Sequence, residues 1–279
     1  MTPADMHDWA ARYLGLLHLE RREPSLAALT EITRAHVEKV PFESISSILR
    51  RSETPHGPVP PLDSEQILET WIARRGGGVC FEVTLMLDRL LRALGYSTFP
   101  VLARIGFPGS HQANLVELDG RHYLVDAGNG APFSEPIPLE QTVEIRRAGL
   151  AYRFRPTAAT VTWQDRFIDG NWQPFAEYTL THADERTQET AYQLHHTIGR
   201  SWVVDNLVLV RCTDDHVWSL RDAELRQFTR DGKMVRQLAD ASEYRAVAAD
   251  MFGVPALPID AARAALAARL SAEAPSGRA

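Results

Sequence analysis

The sequence predicts an α+β protein. Apolar residues at helical spacing fill most of the first ninety-odd positions, and from Ser97 onward short apolar runs separated by Asp-Gly pairs take over. Helices and strands are segregated along the chain rather than alternating, which favours α+β over a parallel array of βα units. The pattern divides the chain into a helical segment, 1–96, a β segment, 97–200, and a smaller mixed segment, 201–279.

The first helix is expected from Ala4 to about Leu19, with Trp9, Tyr13, Leu14, Leu16 and Leu17 as its apolar side. A second starts at Pro24-Ser25 and ends before Pro41, where the pyrrolidine ring stops it. Ser52–Pro61 is rich in proline and reads as an irregular loop. Asp63 or Ser64 then caps a helix through Ile67, Leu68, Trp71 and Ile72. A further helix opens at Cys80, carries Val83, Leu85, Met86, Leu87, Leu90 and Leu91, and closes at Gly95. Strands follow over Thr98–Ile105 and on both sides of Asp119-Gly120, then over Tyr152–Phe154, Ala159–Trp163 and Trp172–Thr179, with a second Asp-Gly turn at Asp169-Gly170. Asp184–His196 reads as a connecting helix, Trp202–Cys212 and Val217–Leu220 as strands, and Asp231-Gly232 as a surface hairpin turn. Helices over about Ser242–Phe252 and Ile259–Leu270 end the pattern, and Ala272–Ala279 is expected to fray.

With 279 residues, 44% hydrophobic and 24% charged, the composition is that of a protein with a sizeable core. A net charge of −6 argues against nucleic acid as the main partner, because there is no basic excess to follow a phosphate backbone. Two cysteines are too few for a disulfide framework and too scattered for a zinc site. No apolar run reaches the roughly 18 residues of a membrane span, and no signal peptide is evident, so a reduced, cytoplasmic protein is expected.

One cysteine stands out. In Gly76-Gly77-Gly78-Val79-Cys80 a glycine turn delivers the thiol to a helix N-terminus, where free N–H groups and the helix dipole favour thiolate. His111 and Asp126 follow. If Asp119-Gly120 makes a two-residue turn, Leu118 pairs with Arg121, Ala113 lies opposite Asp126, and His111 becomes a diagonal neighbour of Asp126, about 7–8 Å away between backbones. Thiol, imidazole and carboxylate are the parts of a covalent acyl-transfer site. The residues alone leave two readings open: that site, or a core cysteine, a strand-end histidine and a turn-forming aspartate.

The motifs Gly77-Gly78-Val79-Cys80-Phe81-Glu82, His111-Gln112-Ala113-Asn114 and Leu124-Val125-Asp126-Ala127-Gly128-Asn129-Gly130 resemble those of the arylamine N-acetyltransferase family, as do Tyr13-Leu14, Arg34-Ala35-His36 and Val40-Pro41-Phe42-Glu43. Similarity is weaker downstream, chiefly Pro136-Ile137-Pro138-Leu139, Arg221–Arg236 and Phe252-Gly253. The resemblance implies a helical bundle, a β-barrel and an α/β lid around a cysteine-protease-like core. It also implies catalytic Cys80, His111 and Asp126, and ping-pong transfer of acetyl from acetyl-CoA as co-substrate to an arylamine or hydrazine. The chain departs from the family pattern at Gly76, where the marker arginine is displaced to Arg75, at Thr84 and Ser44 in place of asparagine, and at Asn129 in place of an aromatic. These changes bear on donor and acceptor choice. The second reading is therefore an amide synthase of natural-product biosynthesis, using a carrier-bound or non-acetyl thioester and a carrier-protein partner. A hydrolase and a catalytically silent binding protein are more distant alternatives.

Phe42, Val79, Phe107, Asn129 and Trp202 are the candidates for substrate contact. Arg74 and Arg75 read equally as anchors for a carboxylate or as solvated charge, and Glu82 as a cap for its own helix. Cys212 reads as core or edge. His195-His196 is set aside as a metal site, since adjacent histidines do not share a helix face, and no metal is expected.

Overall fold

Capping fixes where the early helices begin in a computed structural model of the protein, which describes residues 3–273. The chain forms α1 (Pro3–Leu17), α2 (Leu26–Lys39), β1 (Phe42–Glu43), α3 (Ile45–Glu53), α4 (Ser64–Arg74) and α5 (Cys80–Ala93). Ser25 accepts a hydrogen bond from the Ala28 N–H at the start of α2, and Asp63 accepts from Glu65 and Gln66 at the start of α4. Gly95, at φ 95°, ends α5 in the left-handed region that a side chain would resist. Trp9, Tyr13, Leu29, Leu68, Trp71 and Leu90 bury the facing sides of α1, α2, α4 and α5 in one apolar cluster.

Helix α3 was not legible in the sequence. It is short, and only Ile45 and Ile48 are its buried apolar residues, too few for a periodic signal. Both pack with Leu207, Leu209 and Leu220 from the far end of the chain, so tertiary contacts sustain it.

The β segment forms β2 (Ser97–Ile105), β3 (Phe107–Leu118), β4 (Arg121–Val125), β5 (Ile137–Pro138), β6 (Val143–Arg147), β7 (Leu150–Ala158), β8 (Val161–Ile168) and β9 (Asn171–Thr179). They make a nearly closed, barrel-like sheet in the order β5-β4-β3-β2-β9-β8-β7-β6. Asp119 and Gly120 both have positive φ, 52° and 72°, the geometry of the tight hairpin turn expected of Asp-Gly. Leu118 pairs with Arg121 and Asn114 with Val125, the register counted from the sequence. Val101, Ala103, Leu124, Phe133, Phe154 and Tyr178 fill the interior.

After α6 (Glu185–His195) the expected strand Trp202–Cys212 resolves into two elements. Trp202–Asp205 is a helical turn, α7, and only Val208–Cys212 is extended, as β10. Asn206 closes the turn by donating its side-chain N–H to the Trp202 carbonyl at 2.7 Å. β11 (His216–Arg221), β12 (Glu224–Thr229) and β13 (Gly232–Gln237) extend a five-stranded sheet in the order β1-β10-β11-β12-β13. β13 is exposed along its length, so it lacks the alternation that marks a strand, and only its Asp231-Gly232 turn was visible beforehand. Strand β1, from early in the chain, completes this sheet through Phe42 opposite Val210. Helices α8 (Ala241–Asp250) and α9 (Ile259–Glu273) pack against it. α9 runs through the start of the tail expected to fray, and the rest of that tail lies outside the described residues. No helix among the described residues is long and apolar enough to cross a membrane.

Candidate active site

The glycine turn before Cys80 is held from three sides. A Cβ on Gly77 would fall 1.8 Å from the Pro41 carbonyl oxygen, so only glycine permits that approach. Trp71 donates its indole N–H to the Gly77 carbonyl at 2.7 Å, and the Glu43 N–H donates to the Gly78 carbonyl at 3.2 Å. Glu82 turns back to accept the Val79 N–H, capping its own helix, and its other oxygen pairs with Arg50 at 2.6 Å. Cys80 is thereby fixed as the first residue of α5 and is 2% exposed. The loop after β4 closes on it: a Cβ on Gly128 would lie 2.8 Å from the Cys80 Cα.

The barrel supplies the imidazole and the carboxylate. His111 Nε2 lies 2.9 and 3.0 Å from the two carboxylate oxygens of Asp126, and both residues are buried. The other face of the network is built from residues the sequence did not single out, apart from Asn129. Tyr178 donates its hydroxyl to Asp126 Oδ2 at 2.6 Å, and Asn129 Nδ2 donates to the same oxygen at 2.9 Å while also reaching Gln164 and the Tyr178 hydroxyl. Burial and the Asp126 charge keep Tyr178 well above the usual tyrosine range, so it stays a donor. Asn129, in a place where the family pattern has an aromatic, is thus tied into the carboxylate's hydrogen bonds.

Burial opposes a charge on His111, but Asp126 and Cys80 outweigh it and lift the imidazole to about 10. Cys80 and His111 line the same cavity, and the charge of the sulfur acts on the ring. With Nε2 held by Asp126, Nδ1 is the nitrogen left to serve the thiol. A second imidazole approaches the sulfur: His195 Nε2 is 3.9 Å from Cys80 Sγ. Burial, reinforced by His196 and His111, pushes His195 well below the ordinary histidine range, so it is neutral. His196 diverges, its Nε2 meeting Ser47 Oγ at 3.2 Å.

These residues open onto a cavity of about 360 Å³. Cys80, His111, Asn129, Phe42 and Trp202 line it, with Phe42 and Trp202 stacked at 6.3 Å between ring centroids. Val79 and Phe107 do not: Val79 is sealed in the core with Val37 and Phe42, and Phe107 packs under the Arg200 guanidinium. Arg74 and Arg75 are exposed and lie outside the lining, while Arg166, which the sequence did not flag, is part of it. Ser44 pins β1 to the later sheet by donating to the Asn206 carbonyl and accepting from the Val208 N–H, and Thr84 donates to the Gln112 carbonyl beside His111. Cys212 is buried and unreactive in character, its thiol pushed up to about 12 by burial.

A thiol at a helix N-terminus, set against an imidazole and a carboxylate on an antiparallel barrel, defines a protein with a cysteine-protease-like core. The family model described as N-acetyltransferase matches residues 25–259, and the chain belongs to the arylamine N-acetyltransferase family. It is 26% identical over 244 residues to an arylamine N-acetyltransferase of Mycobacterium tuberculosis, covering 83% of this chain and 84% of that one. It is 31% identical over 127 residues to the proansamycin X synthase of Amycolatopsis mediterranei, 43% of this chain and 47% of that one. The solved structure of Mycobacterium marinum arylamine N-acetyltransferase in complex with CoA superposes with a TM-score of 0.78 at 23% identity, covering 94% of this chain and 98% of that one.

Proposed function

We propose that the protein transfers an acyl group, acetyl by default, from acyl-CoA to an arylamine- or hydrazine-type amine through a thioester on Cys80. The observation that carries this reading is His111, held by Asp126 at Nε2 and lining the same cavity as Cys80. Cys80 sulfur attacks the thioester carbonyl, and the first N–H groups of α5, beside Cys80, are the natural donors to the oxygen that becomes negative. The carbon–sulfur bond to CoA breaks, and CoA leaves as a thiol with the proton from His111. Acylation removes the negative sulfur, one of the two charges that raise His111. The neutral imidazole then takes a proton from the amine as its nitrogen attacks the acyl carbon, and the Cys80 thiolate leaves. Asp126 keeps the ring in the tautomer that both steps need.

We further propose that the segments 1–96, 97–200 and 201–279 act as nucleophile carrier, acid–base scaffold and lid, and that the protein works in the reducing cytoplasm. Similarity to a proansamycin synthase supports a second reading, amide synthesis from a carrier-bound or non-acetyl thioester. The test is intact mass of the wild type and Cys80→Ala after brief exposure to acetyl-CoA without amine. An acetyl-sized gain on the wild type alone is expected. No gain while Cys80 still takes an alkylating reagent overturns acetyl-CoA as donor and turns the search to carrier-bound thioesters.

A further inference from the structure

The cavity beside Cys80 holds positive charge that neither an acetyl group nor a neutral amine calls for. Arg166, Arg221 and Arg226 line it and, among the described residues, no aspartate or glutamate does. Two of the three are accounted for. Arg226 pairs with Glu224, and Arg221 is exposed at the rim, 5.7 Å over the Trp202 ring.

Arg166 is less exposed than Arg221 and, unlike Arg226, has no acidic partner among the described residues. Residues two apart on a strand share a face, so Arg166 lies on the face of β8 that carries Gln164, opposite Tyr152 and Phe154 of β7. Tyr152 and Phe154 belong to the buried barrel interior, and Gln164 reaches Asn129 and Tyr178 from that face. Arg166 therefore enters the interior on the side of the Asp126 network. Its guanidinium lies 3.2 Å from the centroid of the Phe175 ring. Its Nε is buried without a partner, and it forms no hydrogen bond or ion pair with any described residue. The acid nearest in sequence faces the other way: Asp165, on the opposite face of β8, is shared by Arg153 and Arg155. Burial accordingly draws Arg166 below the ordinary arginine range. A half-buried cation without a counter-charge is costly to keep, and an anionic ligand relieves that cost. A planar guanidinium with its edge free is shaped to take a carboxylate by two parallel hydrogen bonds.

We propose that Arg166 receives a substrate carboxylate in the cavity beside Cys80, borne either by the acyl chain of a dicarboxylic thioester of the malonyl class or by the ring of an aminobenzoate-type amine. The inference rests on the acyl-transfer reading above and narrows its substrate class. The rim arginines Arg221 and Arg226 remain for other contacts.

The two half-reactions separate the two sources. For the first, wild type, Arg166→Met and Arg166→Lys are loaded with acetyl or malonyl from N-acetylcysteamine thioesters, which carry no phosphate, and followed by intact mass. For the second, acetyl-loaded enzyme is discharged onto aniline or 4-aminobenzoate. In at least one half-reaction the wild type is expected to favour the carboxylated substrate, and Arg166→Met to slow it by about tenfold or more while changing its neutral counterpart by less than about threefold. Arg166→Lys, which keeps the charge without the fork, recovers part of the loss. Preference in the loading step assigns the carboxylate to the donor, and in the discharge step to the amine. Equal effects on charged and neutral substrates in both steps overturn the proposal. So does a loss seen with acetyl-CoA and absent with phosphate-free thioesters, which makes Arg166 a phosphate contact. If Cys80 loads with acetyl but neither step discriminates, only this inference falls. If no thioester loads Cys80, the acyl-transfer reading fails and takes the inference with it.

Discussion

Asp126→Asn is the most searching substitution in the active site, because it keeps shape and removes charge. The wild-type carboxylate accepts from His111 Nε2, from the Tyr178 hydroxyl and from Asn129 Nδ2. An amide has one accepting oxygen. With that oxygen turned to Tyr178 and Asn129, its NH₂ group faces His111 Nε2, which must then accept. The imidazole proton moves to Nδ1, and the nitrogen that should serve Cys80 ceases to be a base. The lift of His111 from 6.5 to about 10 corresponds to roughly 5 kcal/mol favouring the imidazolium, at about 1.36 kcal/mol per unit. Asp126 is the larger of the two charges that raise it, so its loss costs on the order of a hundredfold, and the wrong tautomer extends this toward 10⁴-fold. Acylation of Cys80 is therefore expected to slow by about 10²- to 10⁴-fold, read by rapid quench and intact mass with acetyl-CoA and no amine. Stability gives a second readout. A histidine raised in the folded state contributes stability that is complete below its unfolded value of about 6.5 and is lost as pH rises through about 10. Thermal melts should show wild type losing stability across that window and Asp126→Asn losing much less. Loading within about threefold of wild type, or parallel melting profiles, refutes the argument.

Three further outcomes are expected. Gly128→Ala drives a methyl to 2.8 Å from the Cys80 Cα, so it should cost about 1–3 kcal/mol and slow acylation by about tenfold; a melt and a loading rate equal to wild type would contradict the close approach. Glu82→Leu strands the Arg50 guanidinium and the Val79 N–H, a loss of about 3–5 kcal/mol, seen as a fall of about 6–15 °C in melting temperature; a shift under about 2 °C would show that the pair is not structural. His195→Leu removes a neutral imidazole from beside the sulfur and should slow alkylation of Cys80 by iodoacetamide about three- to tenfold, with His195→Gln recovering most of the rate; identical rates in wild type and His195→Leu would dismiss His195 as a partner of the thiol.

Local rules decided much of the site before any tertiary contact was known. The Asp119-Gly120 turn demands positive φ at both residues, and a two-residue turn fixes the pairing, so the diagonal between His111 and Asp126 followed by counting. The second Asp-Gly turn shows where such counting stops. From Ile168 opposite Asn171 the count places Gln164 opposite Phe175, but a bulge between Gln164 and Asp165 pairs Gln164 with Ala176 instead. Pro174, which has no N–H to give the ladder, stands beside that bulge but does not fix the register by counting, and the bulge governs how Gln164, Phe175 and Tyr178 are disposed around the site.

The sequence by itself determined the helix that begins at Cys80, the barrel hairpin that joins His111 to Asp126, and the segregated α+β order, because caps, turns and hydrophobic periods act over a few residues. Only the tertiary structure decided that the thiol meets that hairpin, that His195 stands at its sulfur, and that Arg166 faces the same cavity without an acidic partner among the described residues. Those contacts join positions as far apart as Cys80 and His195, and they depend on how separate elements pack, which no local spacing encodes.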